Sequence, residues 1–388
     1  MTRTTRALLG AVTVAVAVAG NAPVASAGEK GGSKRTVIVF NGEGNNLNAY
    51  EAKPPFEKQT VVTNHDDDPD DGLDMNAQIC FFPKGAPGPG RGETWFIAGE
   101  DTGQPDPPAG WGIFELKGTK VGKLAAEQVG KLTPTYQSTN DDPENYGCGF
   151  LSDGRVVTTD IGNQAGGDRN GQLIVWFPPF DSRDVKYCKI DVAIGTAGQI
   201  YVDDDDNVYV TSALDDPAGI RRYTGPFPTS DDAEGGCGQT DGTGAPLADS
   251  ADYEIFITTD NNLATPFGVA AKPGGGFYAA SVFTGTINEY DEDGGFVRTI
   301  LTAPPGEVIG EQTFSTGTPL GLGVDSKGTL YYADIAITFP PGGVPGPGPG
   351  GTVRRIRFVD GEPQAPEVMG GDLAFPDGIG VLEVKRKG

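Results

Sequence analysis

A unit of short apolar runs recurs about six times along this chain: one run, a tight polar turn, a second run ending in small or acidic residues, and then Gly-x-[apolar]. Thr265-Pro-Phe-Gly-Val-Ala-Ala-Lys-Pro-Gly-Gly-Gly-Phe-Tyr-Ala-Ala-Ser281 is answered by Thr318-Pro-Leu-Gly-Leu-Gly-Val-Asp-Ser-Lys-Gly-Thr-Leu-Tyr-Tyr-Ala-Asp334, which fixes the register. Repeats of roughly 40 to 60 residues, each made of short strands and glycine turns, predict a β-propeller, because one small sheet cannot bury both of its faces alone.

Unit two runs from Asn76 through Trp95-Phe-Ile-Ala98 and Gly112-Ile-Phe-Glu-Leu116 to Val121-Gly-Lys-Leu-Ala125. Units three and four begin near Gly147 and Gln199, and units five and six at Thr265 and Thr318. Phe375-Pro-Asp-Gly-Ile-Gly-Val-Leu382 reads as a first strand with no successors, and Thr36-Val-Ile-Val-Phe40 as a second strand with no predecessor. Together they complete unit one. The expected fold is an all-β, six-bladed propeller of four-stranded antiparallel blades, closed by pairing the N- and C-terminal strands. That closure removes the open edges that invite aggregation. With 60 Gly and 31 Pro, helix is nearly excluded; residues 123–131 are the one stretch of helix-compatible composition.

Arg3 and Arg6, an uncharged apolar stretch over 7–20 and Ala25-Ser26-Ala27 form a secretory signal peptide, residues 1–27. Residues 28–34 follow as a flexible N-terminus and 35–388 as a single propeller domain, secreted and monomeric. No stretch is long and apolar enough to span a membrane. Loss of Arg3 and Arg6 takes the 29 basic residues to 27 against 53 acidic ones, a net charge of −26. Such a field repels nucleic acid and anionic lipid. Four cysteines in an oxidising destination imply two disulfides. Cys80 aligns with Ala270 and Cys148 with Val269, one column apart, so their side chains leave opposite faces of equivalent strands. Neighbouring blades stack face against opposite face, which predicts a Cys80–Cys148 bridge and, by elimination, Cys188–Cys237.

At Gly328-Thr-Leu-Tyr-Tyr-Ala-Asp334, Gly351-Thr-Val-Arg-Arg-Ile356 and Thr158-Thr-Asp-Ile-Gly-Asn163 the chain resembles NHL-repeat propellers and the wider gluconolactonase, regucalcin and strictosidine synthase-like group. The resemblance implies a ligand site at one mouth of the central channel. In the gluconolactonase and regucalcin proteins it further implies a divalent ion, here Ca²⁺, held by Glu, Asn and Asp at the inner ends of the blades. Asp377 matches such a position. The aligned residues of the other units are Ala77, Tyr146, Gly198, Phe267 and Leu320, none of them a charged ligand.

The lone His65 stands in a polar run with no Gly-x-Ser-x-Gly elbow anywhere in the chain, which argues against a Ser-His-acid triad and leaves the catalytic residues unknown. Sites built from several imidazoles are excluded; oxygen-ligand Ca²⁺ binding is compatible, and no organic cofactor is indicated. The acidic run over 65–74 misses the spacing of an EF-hand loop, and residues 203–207 read as a turn between strands. Most long loops fall between strands 2 and 3 or between consecutive blades, on one face of the disc. The candidate metal and ligand residues on that face are Glu43, Glu100, Asp101, Asn163 and Asp377, and the site is expected there rather than on the side of residues 86–92. Asp160 and Asp334 are expected to fasten the turns that follow them. Three readings follow: a secreted module binding an extracellular small molecule or polymer at the channel mouth, a metal-dependent lactonase or esterase, or a non-catalytic cell-envelope scaffold. Three or more acid or Asn side chains around one channel point would favour the enzyme, and an aromatic-lined groove without them would favour binding.

Overall fold

The computed structural model describes residues 35–43, 46–63, 75, 77–90, 93–100, 110–136, 145–162, 170–182, 184–213, 215, 217–302, 317–338, 346–347 and 350–385. The signal peptide, residues 28–34 and the acidic run at 65–74 lie outside them. Alternating apolar residues build six antiparallel blades, each numbered here from the channel outward. Blade one orders Pro376–Lys385, Arg35–Glu43, Asn46–Glu51 and Lys58–Thr63. Blade two is Cys80–Phe81, Thr94–Glu100, Gly110–Lys117 and Ala125–Leu132; blade three begins with Asn145–Phe150, Val156–Asp160, Gly171–Trp176 and Tyr187–Ile194. Blade four is Ala197–Val202, Val208–Ser212, Gly219–Tyr223 and Tyr253–Thr258; blade five is Pro266–Ala271, Phe277–Ser281, Thr286–Tyr290 and Phe296–Leu301. Blade six is Pro319–Val324, Leu330–Asp334, Gly351–Ile356 and Glu367–Leu373.

The split repeat closes as expected. The C-terminal strand runs antiparallel to the N-terminal one, from Arg35 opposite Lys385 to Glu43 opposite Pro376. Period-two alternation then sends successive side chains to opposite neighbours. Ile38 and Phe40 pack against Phe96 and Phe114 of blade two, while Val39 between them packs against Tyr331 and Val353 of blade six. Each pair of adjacent blades shares a core in this way, so every sheet face is covered by its neighbour. Both disulfides have the expected partners: Cys80–Cys148 joins the inner strands of blades two and three, and Cys188–Cys237 lies farther out.

Two features differ from the sequence expectation. The fourth strand of blade two is Ala125–Leu132, not residues 121–125, and takes up the one helix-compatible stretch; pairing with Gly110–Lys117 overrides local propensity. Blade three carries six strands rather than four, because Gln239–Thr240 and Pro246–Leu247 join its outer edge. Both belong to residues 224–252, which connect strands three and four of the next blade. This strap is held by Cys188–Cys237 and by the ion pair of Lys189 with Asp241, whose side chains are 0% and 1% exposed. Burial works against the Asp241 charge, but hydrogen bonds from Lys189 and Thr243 outweigh it and hold the carboxyl below its usual range. The Arg155 guanidinium, from the first turn of blade three, donates to the Phe227 carbonyl at 3.0 Å and also to that of Pro228.

Candidate ligand-binding site at the channel mouths

The inner strands of neighbouring blades approach each other closely at one column. The Gly of each Gly-x-[apolar] step lets neighbouring inner strands touch: a Cβ at Gly147 would lie 2.5 Å from the Gly198 carbonyl oxygen, and one at Gly321 would overlap that of Asp377. In blades two and four, glutamine stands in this column. The Gln78 Oε1 accepts the N–H groups of Cys148 (3.0 Å) and Ile200 (3.2 Å), and its Nε2 donates to the Ile200 carbonyl at 3.1 Å. Gln199 repeats the pattern two blades on, accepting from Val269 (3.2 Å) and Leu322 (3.0 Å) and donating to the Leu322 carbonyl at 2.7 Å. An inner strand's free edge would otherwise leave these backbone groups without partners. Each glutamine thus staples two successive blades.

On the face where second strands end, apolar side chains gather. Tyr146, Phe267, Val282, Leu320, Ile335 and Ile337 form a buried apolar cluster, with the Tyr146 and Phe267 rings edge to face at 5.3 Å. Asp377 sits here, 3% exposed. Burial pushes its carboxyl up to about 7, against a hydrogen bond from Tyr146, and its Oδ1 has no protein partner. Of the other expected residues, Glu43 is the one whose side chain is described, and it does not join Asp377. Glu43 accepts from Asn48 at 2.5 Å and pairs with Lys58 at 3.0 Å, both within its own blade. Glu100 ends the strand Thr94–Glu100, and Asp101 and Asn163 lie outside the described residues. Among the described residues no three His, Cys, Asp or Glu side chains gather into a metal-binding group. A neutral-leaning carboxyl among aromatic and aliphatic side chains does not fit a calcium shell, which needs several oxygen ligands.

The residues that end the second strands share one column: Glu43, Glu100, Asp160, Ser212, Ser281 and Asp334. Those with described side chains bond within their blades. Asp334 accepts the N–H of Thr318 at 3.0 Å and that of Ala336 at 3.4 Å, and Asp160 accepts from Gln172 at 3.0 Å. The fastening role expected of Asp334 is therefore present.

An open groove of about 440 Å³ lies between blades two, three and four. Its lining includes Gln78, Cys148, Ser152 and Asp204, and the aromatic residues Phe81, Phe150 and Tyr201, which also belong to it, turn their rings into three different interblade cores. It lies where first strands turn into second strands, on the side of residues 86–90 and away from Asp377. The signal for it was present: an aromatic residue ends or nearly ends the inner strand in three consecutive blades. The run over 203–207 is the expected turn, with Asp203 accepting the N–H of Asn207 at 2.8 Å, and it also walls the groove.

No protein-family model and no curated protein matches the chain. Similar solved structures include a chain of a nidogen/laminin complex (10% identity, TM-score 0.49, covering 89% of this chain and 98% of that one). Another is a putative 6-phosphogluconolactonase from Bacteroides uniformis (12%, TM-score 0.46, covering 90% and 99%). A third is regucalcin, a calcium-binding protein from Agrobacterium tumefaciens (13%, TM-score 0.45, covering 74% of each). Regucalcin belongs to the group that the sequence resembles. The six-bladed fold stands on the strand ladders themselves, and no activity passes to this chain at such identities.

Proposed function

We propose that the protein is a secreted binding module that holds an extracellular small molecule, or a short stretch of a polymer, in the groove between blades two, three and four. The observation that carries this reading is the groove itself: about 440 Å³, with the hydrogen-bonded Gln78 side chain among its lining residues. That volume is in the range of small-ligand sites, which pair apolar walls with a few fixed polar groups. Two disulfides accord with an extracellular setting, and no helix among the described residues is long and apolar enough to cross a membrane. A lactonase-type hydrolysis asks for several acid or Asn side chains at one channel point, and among the described residues no three His, Cys, Asp or Glu side chains gather into such a group.

The test is a fragment screen by saturation-transfer NMR on the mature protein and on Ser152→Trp, which puts an indole on an exposed lining position. Fragments that bind the wild type and lose their signal in the variant support the groove. Fragments that bind both proteins equally place recognition elsewhere.

A further inference from the structure

The closing ladder ends, on the face where first strands pass to second ones, with Arg35 directly opposite Lys385. Like charges in opposed positions work against strand pairing, and closure of a ring does not ask for them there. Lys34 precedes this pair in the sequence, and Arg386 and Lys387 follow it. Neighbouring turns add further cations. The Arg35 guanidinium donates to Ser326 Oγ at 3.5 Å and pairs with Glu383 at 3.0 Å, which brings in the turn that carries Lys327. The Ala52 N–H donates to the Val37 carbonyl at 3.1 Å, which brings in the turn that carries Lys53. Arg355 donates to the Ala52 carbonyl and shares Glu367 with Arg357, at 2.7 Å each. Glu367 and Glu383 are thus taken up by arginines. Asp325 accepts the N–H groups of Lys327 and Thr329 and the Tyr331 hydroxyl, leaving Glu51 and Glu57 as the acids beside Lys53. Lys53 and Lys327 themselves are exposed and enter no ion pair among the described residues. A chain of net charge −24 therefore concentrates cations at one corner of blades one and six.

A field that repels anions over the rest of the surface admits them here. The cationic groups stand on separate turns and strand ends rather than converging on one point, which suits a row of anions better than a single one. A second copy of this chain would bring its own −24 charge with it, whereas a thin polymer lays only a few charges along the corner. Lysine point charges and arginine forks are both donors that phosphate oxygens accept. We propose that this corner docks a linear phosphate polymer, independently of the groove.

Calorimetric titration of the mature protein with long-chain inorganic polyphosphate, at about 50 and about 150 mM salt, tests it. Binding is expected at the lower salt and should weaken steeply at the higher. Lys53→Gln combined with Lys327→Gln should lower the affinity about tenfold and reduce the slope of affinity against salt by about two. Lys84→Gln combined with Lys186→Gln, the same charge change at exposed lysines of blades two and three, should leave both unchanged. Absence of binding at the lower salt, or equal losses in the two double variants, overturns the proposal. Polygalacturonate bound as tightly as polyphosphate overturns the assignment to phosphate. A dimer in sedimentation velocity that Lys53→Gln with Lys327→Gln dissociates makes the corner a contact between copies, and overturns the proposal as well.

Discussion

Asp377 ties stability to pH in the direction opposite to that of Asp241 and Glu289, whose carboxyls are held low. Its folded pKa, about 7, stands above the unfolded value of 3.8, so the native state keeps a proton that the unfolded chain loses. The stability it contributes is full below about pH 4 and is lost as pH rises through 7. The shift of about three pKa units corresponds to about 4 kcal/mol at most. Urea unfolding of wild type and Asp377→Asn should show the variant gaining on the wild type between pH 4 and 8; a constant difference would mean that the carboxyl is not buried as described. The variant should also leave any calcium-induced thermal shift unchanged, since the described neighbours complete no shell. Gln199→Ala removes three hydrogen bonds and strands the edge groups of Val269 and Leu322, for an expected loss of about 2–4 kcal/mol by the same measurement. The sequence placed Asp377 at the channel end, but its environment was not legible there. What neutralises it is the meeting of Tyr146, Phe267 and Leu320 from three other blades, and no local pattern announces that. The glutamine staples were within reach: Gln78 and Gln199 stand in a column otherwise filled by glycine.

The strap over residues 224–252 is the element that local reading missed. It looks like a long polar connection, and only its Cys237 hints at an anchor. Blade three's outer strand would otherwise be an open edge, and the strap covers part of it with a short parallel pairing of Lys189 and Leu247. Replacing Lys189 by Met should leave Asp241 buried without its cation and cost about 3–5 kcal/mol, whereas Lys189→Met with Asp241→Leu should recover much of the loss. Denaturant midpoints of the two variants decide this, and equal destabilisation would show that packing rather than charge holds the strap. Loss of the Cys188–Cys237 bridge should cost about 2–5 kcal/mol and speed proteolysis within 224–252 ahead of other turns. The pairing of these cysteines was legible only through the parity of the other two, since spacing alone allows three arrangements.

For the whole molecule, the repeat and its split at the termini were enough to give blade number, closure and inner-strand order, because each blade has nowhere to bury its faces except against the next. The face that binds was not settled in this way, since loop length points to one mouth and the open volume lies at the other. A circular permutant that joins residues 385 and 35 through a short linker and opens the chain between Gly274 and Gly275, in an exposed turn of blade five, should fold with nearly native far-ultraviolet dichroism. Failure would mean that the closing pair needs free ends. The wild-type order of strands also has a consequence in time. The three outer strands of blade one are made first and its innermost strand last, so at about 5–20 residues per second roughly 15 to 70 seconds separate them. Throughout that interval Arg35–Glu43 lacks its inner neighbour, and a chain cut short anywhere before Pro376 never receives it. The ring therefore carries a check on its own synthesis: only a product that includes Pro376–Lys385 covers the inner edge of Arg35–Glu43, and any product cut before it leaves an open edge that proteases and chaperones can find.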